Sequence, residues 1–304
     1  MNTKSFLRFA AMAAVISTTA FSSCISRTSM ENPSGSLKNG ESTTTAEEVG
    51  TLEQQTGPFS RVSVAHSLTA YYHVSDDEPH VRVSAPRSAL KDISVKTKAG
   101  TLTLKAMNAL RFNKMSRRAI RIDIYGAVPA SLAATSSATL IVEKPLNISS
   151  SLTLEASKAG AVKATVNGPS LAVNATLNGY VELGTASESD WVKLSASGNG
   201  TIKTGSLKSK TTELKVITGG SIAAPSLNVT QTAFFTAASN GVIKVSGKGH
   251  ETYVKCYTNG EIDMQGFSQD NVDATAATAG KITLRRPAIY KATTSSGGYI
   301  SEVD

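Results

Sequence analysis

The chain has 304 residues, a formal charge of +8, 6% aromatic residues and 18% charged ones. Ser, Thr, Ala, Val and Gly dominate, which favours thin, regular β structure over a bulky aromatic core. Its two cysteines, Cys24 and Cys256, exclude a disulfide framework, and its one early apolar run is too short to cross a bilayer.

Residues 1–23 read as a lipoprotein-type signal peptide. Lys4 and Arg8 precede the apolar stretch AAMAAVISTTAF, and FSSC closes the segment. Small residues before a cysteine resemble a bacterial lipobox, with Phe21 where Leu or Val is usual. On that reading Cys24 is lipidated and becomes the first mature residue, holding the protein at a membrane without a spanning helix. An ordinary secretory signal cleaved nearby is the alternative. Losing Lys4 and Arg8 takes the formal charge from +8 to +6. Residues 24–57 are rich in Ser, Thr, Gly and Glu and poor in large apolar side chains, the composition of a flexible tether.

The body starts near Phe59. FSRVSVAHSLTAYYHV, HVRVSAP, DISVKTKAGTLTLKA and AIRIDIYGAVP alternate apolar and polar residues, so residues 58–134 read as an N-terminal β region of a longer array. AMNALRFNKMSRR is the least strand-like piece, a loop or one short helix.

Residues 135–304 repeat. Glycines stand at 160, 179, 200, 220, 241, 260, 280 and 298, spaced 18 to 21 apart. Two places after each is a β-branched aliphatic residue: Val162, Val181, Ile202, Ile222, Ile243, Ile262, Ile282 and Ile300. A degenerate copy, SSATLIV, precedes them. Six places before each glycine is an inward column that begins Leu154, Val173, Leu194, Leu214, Phe235. Four places before is a small one that begins Ala156, Ala175, Ala196. A fixed period near 20 marks a solenoid whose turns of chain stack on one another. Asn or Gly often precedes the glycine and tolerates positive φ, which suits a coil corner or a hairpin tip. One sharp turn per repeat, followed by a looser and more variable return, favours an all-β, right-handed parallel β-helix-like solenoid with repeats of about 20 residues. An antiparallel hairpin stack is the alternative.

The polar tether, FSRVSV, TLTL, IDIYGAVPASL and the tandem glycine turns followed by x-Ile-x together resemble the auto-transporter adhesin, head GIN domain family. Its members are mostly β-helical envelope proteins of Bacteroidetes. The resemblance spans roughly Phe59 to Ile300 and implies an adhesin-like envelope protein. It brings no catalytic residues with it, and SKAG, LNGY and TAGK depart from the family's Ser-Gly-Ser-Gly turns.

Catalysis is not expected; the alternatives to the adhesin-like or glycan-binding reading are a structural subunit of an envelope assembly and, ranked after it, a carbohydrate-active β-helix enzyme. Among outward acids, Glu182 and Asp263 lie four turns apart, about 19 Å at ~4.8 Å per turn, and Glu261 and Asp263 about 7 Å apart. Lys244 and Lys281 on flanking turns make the second pair part of a surface charge ladder. His66, His73 and His80 recur every seven residues, which flips their face along a strand and argues against a metal site. Cys256 falls in the small inward column as a core residue. No cofactor, metal or catalytic residue is assigned.

Two surface features are candidates for ligand contact. The first is the basic run with Lys105, Arg111, Lys114, Arg117, Arg118 and Arg121, suited to phosphates or acidic glycans. The second is the outward pair Phe234 and Tyr253, suited to a sugar ring or another protein. The expected partners are a membrane through the lipid anchor, a glycan or an envelope protein, and a second copy through the C-terminal turn. Nucleic acid is not expected for an exported chain. The expected location is the cell envelope, as an outer-membrane lipoprotein.

Overall fold

The computed structural model describes residues 48–108 and 120–303. They form a β-solenoid of about 9 turns with a repeat near 20 residues. Neighbouring turns pair in parallel, Ser170–Thr176 with residues 191–197 and Tyr180–Leu183 with Thr201–Thr204. This selects the coil over the hairpin stack.

Each corner is a two-residue turn. The two residues before the glycine both adopt left-handed φ, from 48° at Thr258 to 76° at Gly297. The glycine N–H then donates to the carbonyl three residues back, as Gly200 does to Ser197 at 2.9 Å and Gly179 to Thr176 at 2.8 Å. Corner residues also bond upward: Asn178 N–H donates to Gly198 C=O at 2.9 Å, and Asn240 N–H to Thr258 C=O at 3.2 Å. The unfavourable conformation is thus held by neighbours that share it.

The glycine after the corner serves a different purpose. A Cβ on Gly200 would lie 2.1 Å from the carbonyl oxygen of Ala175, and one on Gly280 2.2 Å from that of Cys256. Those contacts belong to the small inward column of the turn below. Glycine column and alanine column are therefore two sides of one close approach.

The core is a stack of identical layers. Leu154, Val173, Leu194, Leu214, Phe235 and Val254 are fully buried, as are Val162 to Ile282 in the β-branched column. The return is more regular than the sequence predicts. Ser206–Ile217, Ser221–Ala238, Val242–Tyr257 and Glu261–Ala277 run as continuous strands through it and make a third wall. Layers there compensate one another in volume. Phe267 sits against Gly249 of the turn below, where a Cβ would come within 2.8 Å, and meets Phe235 edge-on across the interior at 5.5 Å.

The N-terminal end breaks the sequential order. Its elements are β1 (Val49–Gln55), β2 (Arg61–Ala65), β3 (Thr69–Val74), β4 (His80–Pro86), α1 (Arg87–Leu90), β5 (Ile93–Lys98), β6 (Thr101–Ala106), β7 (Arg121–Gly126), β8 (Ser131–Thr135) and β9 (Thr139–Val142). The turn β2–β3 lies between the turn β6–β7 on one side and β8–β9 on the other, all in parallel. Strand β5 closes β6 in antiparallel fashion, while β4 closes β7 and is itself paired to β1. These antiparallel strands cap the solenoid. Strand β1 falls inside the segment predicted to be a tether, so the ordered body begins before Phe59. Its residues are almost all exposed, because it adds an edge to the sheet without adding to the core.

Candidate functional site

Along the wall that contains residues 191–197, every second side chain points outward, and register partners on successive turns form straight rows. One row reads Lys193, Glu213, Phe234, Tyr253, Asp273, Lys291. Its ends are ion pairs, Lys193 with Glu213 at 3.0 Å and Lys291 with Asp273 at 3.1 Å. Its middle is aromatic: Phe234 and Tyr253 stack at 5.3 Å between centroids, 13° from parallel. The rings stay 39% and 37% exposed. Stacking leaves one face of each ring uncovered by its partner. Beyond Tyr253 lies a shallow cavity of about 310 Å³, shared with Glu251, Asn271, Asp273, Tyr290 and Lys291.

The sequence reading missed Trp191, the chain's one tryptophan. It lies on the same wall, two residues from Lys193, and is 45% exposed. Its place nine residues before Gly200 gives it outward parity, the signal that marks Phe234 and Tyr253.

The basic run divides. Arg111, Lys114, Arg117 and Arg118 lie outside the described residues, as does Cys24. Lys105 is in β6. Arg121 is committed to Asp123, with its Nε donating at 2.9 Å. Burial works against the Asp123 carboxylate, yet hydrogen bonds from Arg121 and His73 outweigh it and hold its pKa below the usual value. His73 Nε2 lies 2.8 Å from Asp123. The ring of Tyr125 stacks between His73 at 4.9 Å and His80 at 4.5 Å. His73 and His80 are thus parts of a cap network across β3, β7 and β4. His66 is elsewhere, at a corner with φ 61°. Among the described residues no three His, Cys, Asp or Glu side chains are placed to hold a metal ion.

Two of the other acids named from the sequence, Glu261 and Glu182, lie in cross-turn charge pairs. Glu261 lies 3.9 Å from Lys281 and Glu182 2.8 Å from Lys163. The Lys163 hydrogen bond holds the Glu182 carboxyl below its usual range. Cys256 is fully buried. Burial pushes its thiol up to about 11, and the thiol donates to Lys281 C=O at 3.4 Å. It is a core residue, as its column predicts.

A family model described as "Putative auto-transporter adhesin, head GIN domain" matches residues 58–228 and again 189–302. The chain belongs to that family. The two matches overlap across 189–228 because head GIN turns are near-equivalent and the pattern fits in more than one phase. Solved structures share the fold. One from Parabacteroides distasonis, described as a "putative adhesin", has a TM-score of 0.60 at 15% identity, covering 84% of this chain and 98% of its own. A second from that organism, described as a "putative lipid binding protein", has a TM-score of 0.60 at 18% identity, covering 84% and 97%. A "putative adhesin" from Parabacteroides merdae has a TM-score of 0.58 at 16% identity, with the same coverage. No curated protein matches the sequence.

Proposed function

We propose that this protein is a lipid-anchored, non-enzymatic component of the bacterial cell envelope that acts as an adhesin-like, glycan-binding surface. The observation that carries the reading is the Phe234–Tyr253 stack, left exposed in the middle of a row whose two ends are ion pairs. An exposed aromatic costs solubility and adds little to the core, whereas a sugar ring or another apolar surface gains from it. The solenoid presents such a row at a fixed spacing with little conformational entropy left to lose on binding. Trp191 extends the apolar area of the same wall.

Cys24 supplies the anchor and residues 25–48 the reach. Arg111, Arg117 and Arg118, placed in sequence between β6 and β7, supply contact with lipid phosphates or acidic groups. Affinity electrophoresis in gels containing soluble polysaccharides tests the binding reading. Retardation of the wild-type chain, lost in the Phe234→Ala/Tyr253→Ala double variant, is the expected result. Unchanged migration in every polysaccharide, with a fixed envelope protein copurifying instead, would replace it with a structural role. For the anchor, Cys24→Ser should abolish incorporation of a labelled fatty acid and release the protein from the membrane fraction.

A further inference from the structure

The cavity beside Tyr253 has a definite chemistry. Glu251 and Asn271 are register partners on adjacent turns, as are Tyr253 and Asp273. These four residues form a two-by-two outward patch. Tyr290, from the following turn, contributes a second aromatic to the cavity lining.

Charge in the cavity is uneven. Lys291 is bound to Asp273 at 3.1 Å. Glu251 makes no ion pair among the described residues. The lining therefore carries two carboxylates against one ammonium, although the chain as a whole is basic, at +8. A negative local balance repels uronate, sulfate and sialate groups, since like charges brought together cost energy even near a surface. The same groups suit hydroxyls: a carboxylate accepts from them, and the Asn271 carboxamide both donates and accepts. An aromatic face beside paired acceptors matches a pyranose ring, with C–H groups on one side and hydroxyls at its rim.

We propose that this cavity is a subsite for an uncharged sugar residue of a neutral polysaccharide, packed against the exposed ring of Tyr253 and hydrogen-bonded by Glu251, Asn271 and Asp273. The inference rests on the glycan-binding reading above and adds the ligand class and three further contact residues. The polymer runs along the solenoid axis, where successive turns offer the Phe234–Tyr253 stack and then the polar patch at intervals of about 4.8 Å.

The test measures retardation of the full mature chain in gels containing soluble neutral polymers (a β-glucan, an α-mannan, a galactan) and anionic ones (polygalacturonate, heparin) at one ionic strength. The expected result is retardation by at least one neutral polymer and none by the anionic pair. Tyr253→Ala should weaken it about tenfold or more. Asn271→Ala should weaken it roughly five- to tenfold, the worth of a hydrogen bond of ~1 kcal/mol or slightly more. Glu251→Lys, with the charge balance reversed, should admit polygalacturonate. All three positions face outward, so unchanged thermal melts exclude misfolding. Retardation by anionic polymers alone would overturn the ligand class and leave the glycan reading standing. Neutral-polymer binding indifferent to Tyr253→Ala and Asn271→Ala would overturn the site. Migration unchanged in every gel would overturn both.

Discussion

Gly198 and Gly200 share one corner, and the structure gives them unlike roles that a pair of alanine substitutions separates. At Gly198 the φ is 54°, and an added Cβ would meet its nearest atom, the Leu177 nitrogen, at 3.2 Å. Leu177, Thr218 and Ser239 occupy the same corner position at φ 49°, 55° and 51°. Gly198→Ala should therefore cost about 1 kcal/mol, the left-handed penalty. At Gly200 the Cβ would lie 2.1 Å from the Ala175 oxygen and 2.4 Å from its carbonyl carbon. Contact normally lies near ~3.5 Å, so the turn must lift by about 1 Å. Lifting strains Thr201 N–H to Gly179 C=O at 2.8 Å and Ser221 N–H to Gly200 C=O at 2.9 Å. Two weakened hydrogen bonds at about 1 kcal/mol each, with overpacking strain of about 1–3 kcal/mol, give a loss on the order of 3–5 kcal/mol. In a domain of this size that lowers Tm by roughly 10 °C, against roughly 3 °C for Gly198→Ala. Thermal and urea melts of the two variants decide the matter. Equal shifts, or a larger one at Gly198, would show that the steric reasoning for the glycine column is wrong.

Four other outcomes follow from the same geometry. Phe235→Ala empties the interior opposite Phe267 and should cost about 3–5 kcal/mol in urea denaturation. Thr252 buries a hydroxyl oxygen that has no hydrogen-bond partner among the described residues, so Thr252→Val should raise stability by about 1 kcal/mol. In a Cys24→Ser background, Cys256 should resist thiol reagents at neutral pH and react fully in denaturant; native labelling at the rate of a free thiol would mean the corner opens. The carboxyl of Asp123 is held below its usual value, so its contribution to stability is present above an unfolded pKa near ~4 and is lost as pH falls through the lower folded one. A stability profile of Asp123→Asn should accordingly be flatter than wild type below about pH 4.

What was legible in the sequence is what repeats. Leu194, Ala196, Gly200 and Ile202 recur in phase, and each column's chemistry states its place: large inside, small beneath the next glycine, β-branched after the corner. The outward aromatics were legible by the same parity, which also covers the overlooked Trp191. The N-terminal end was not, because chain order and spatial order differ there. Nothing local to VSV or LTL tells β2 to stack between β6 and β8, since each strand carries the same alternation and would pair with any other. Strand β1 was hidden for the opposite reason. VGTLEQQ has no buried face, so no periodicity announces it. The His73–Tyr125–His80 stack joins residues up to 52 positions apart across three strands, brought together by the parallel pairing of β3 with β7 and the antiparallel pairing of β4 with β7.

The interleaved order of β6–β7, β2–β3 and β8–β9 has a consequence for the protein's making and for its length. A chain under synthesis emerges from its amino end, and its first complete turn must wait, one edge open to later-arriving sequence, until the cap has folded back over it. Everything after β9 then adds in a single direction onto a finished template. The array downstream is accordingly adjustable in whole units. Excising residues 201–220 would bring together two turns that already share the same corner and the same inner columns. The same length cut from β2 and β3 would leave two turns with nothing between them.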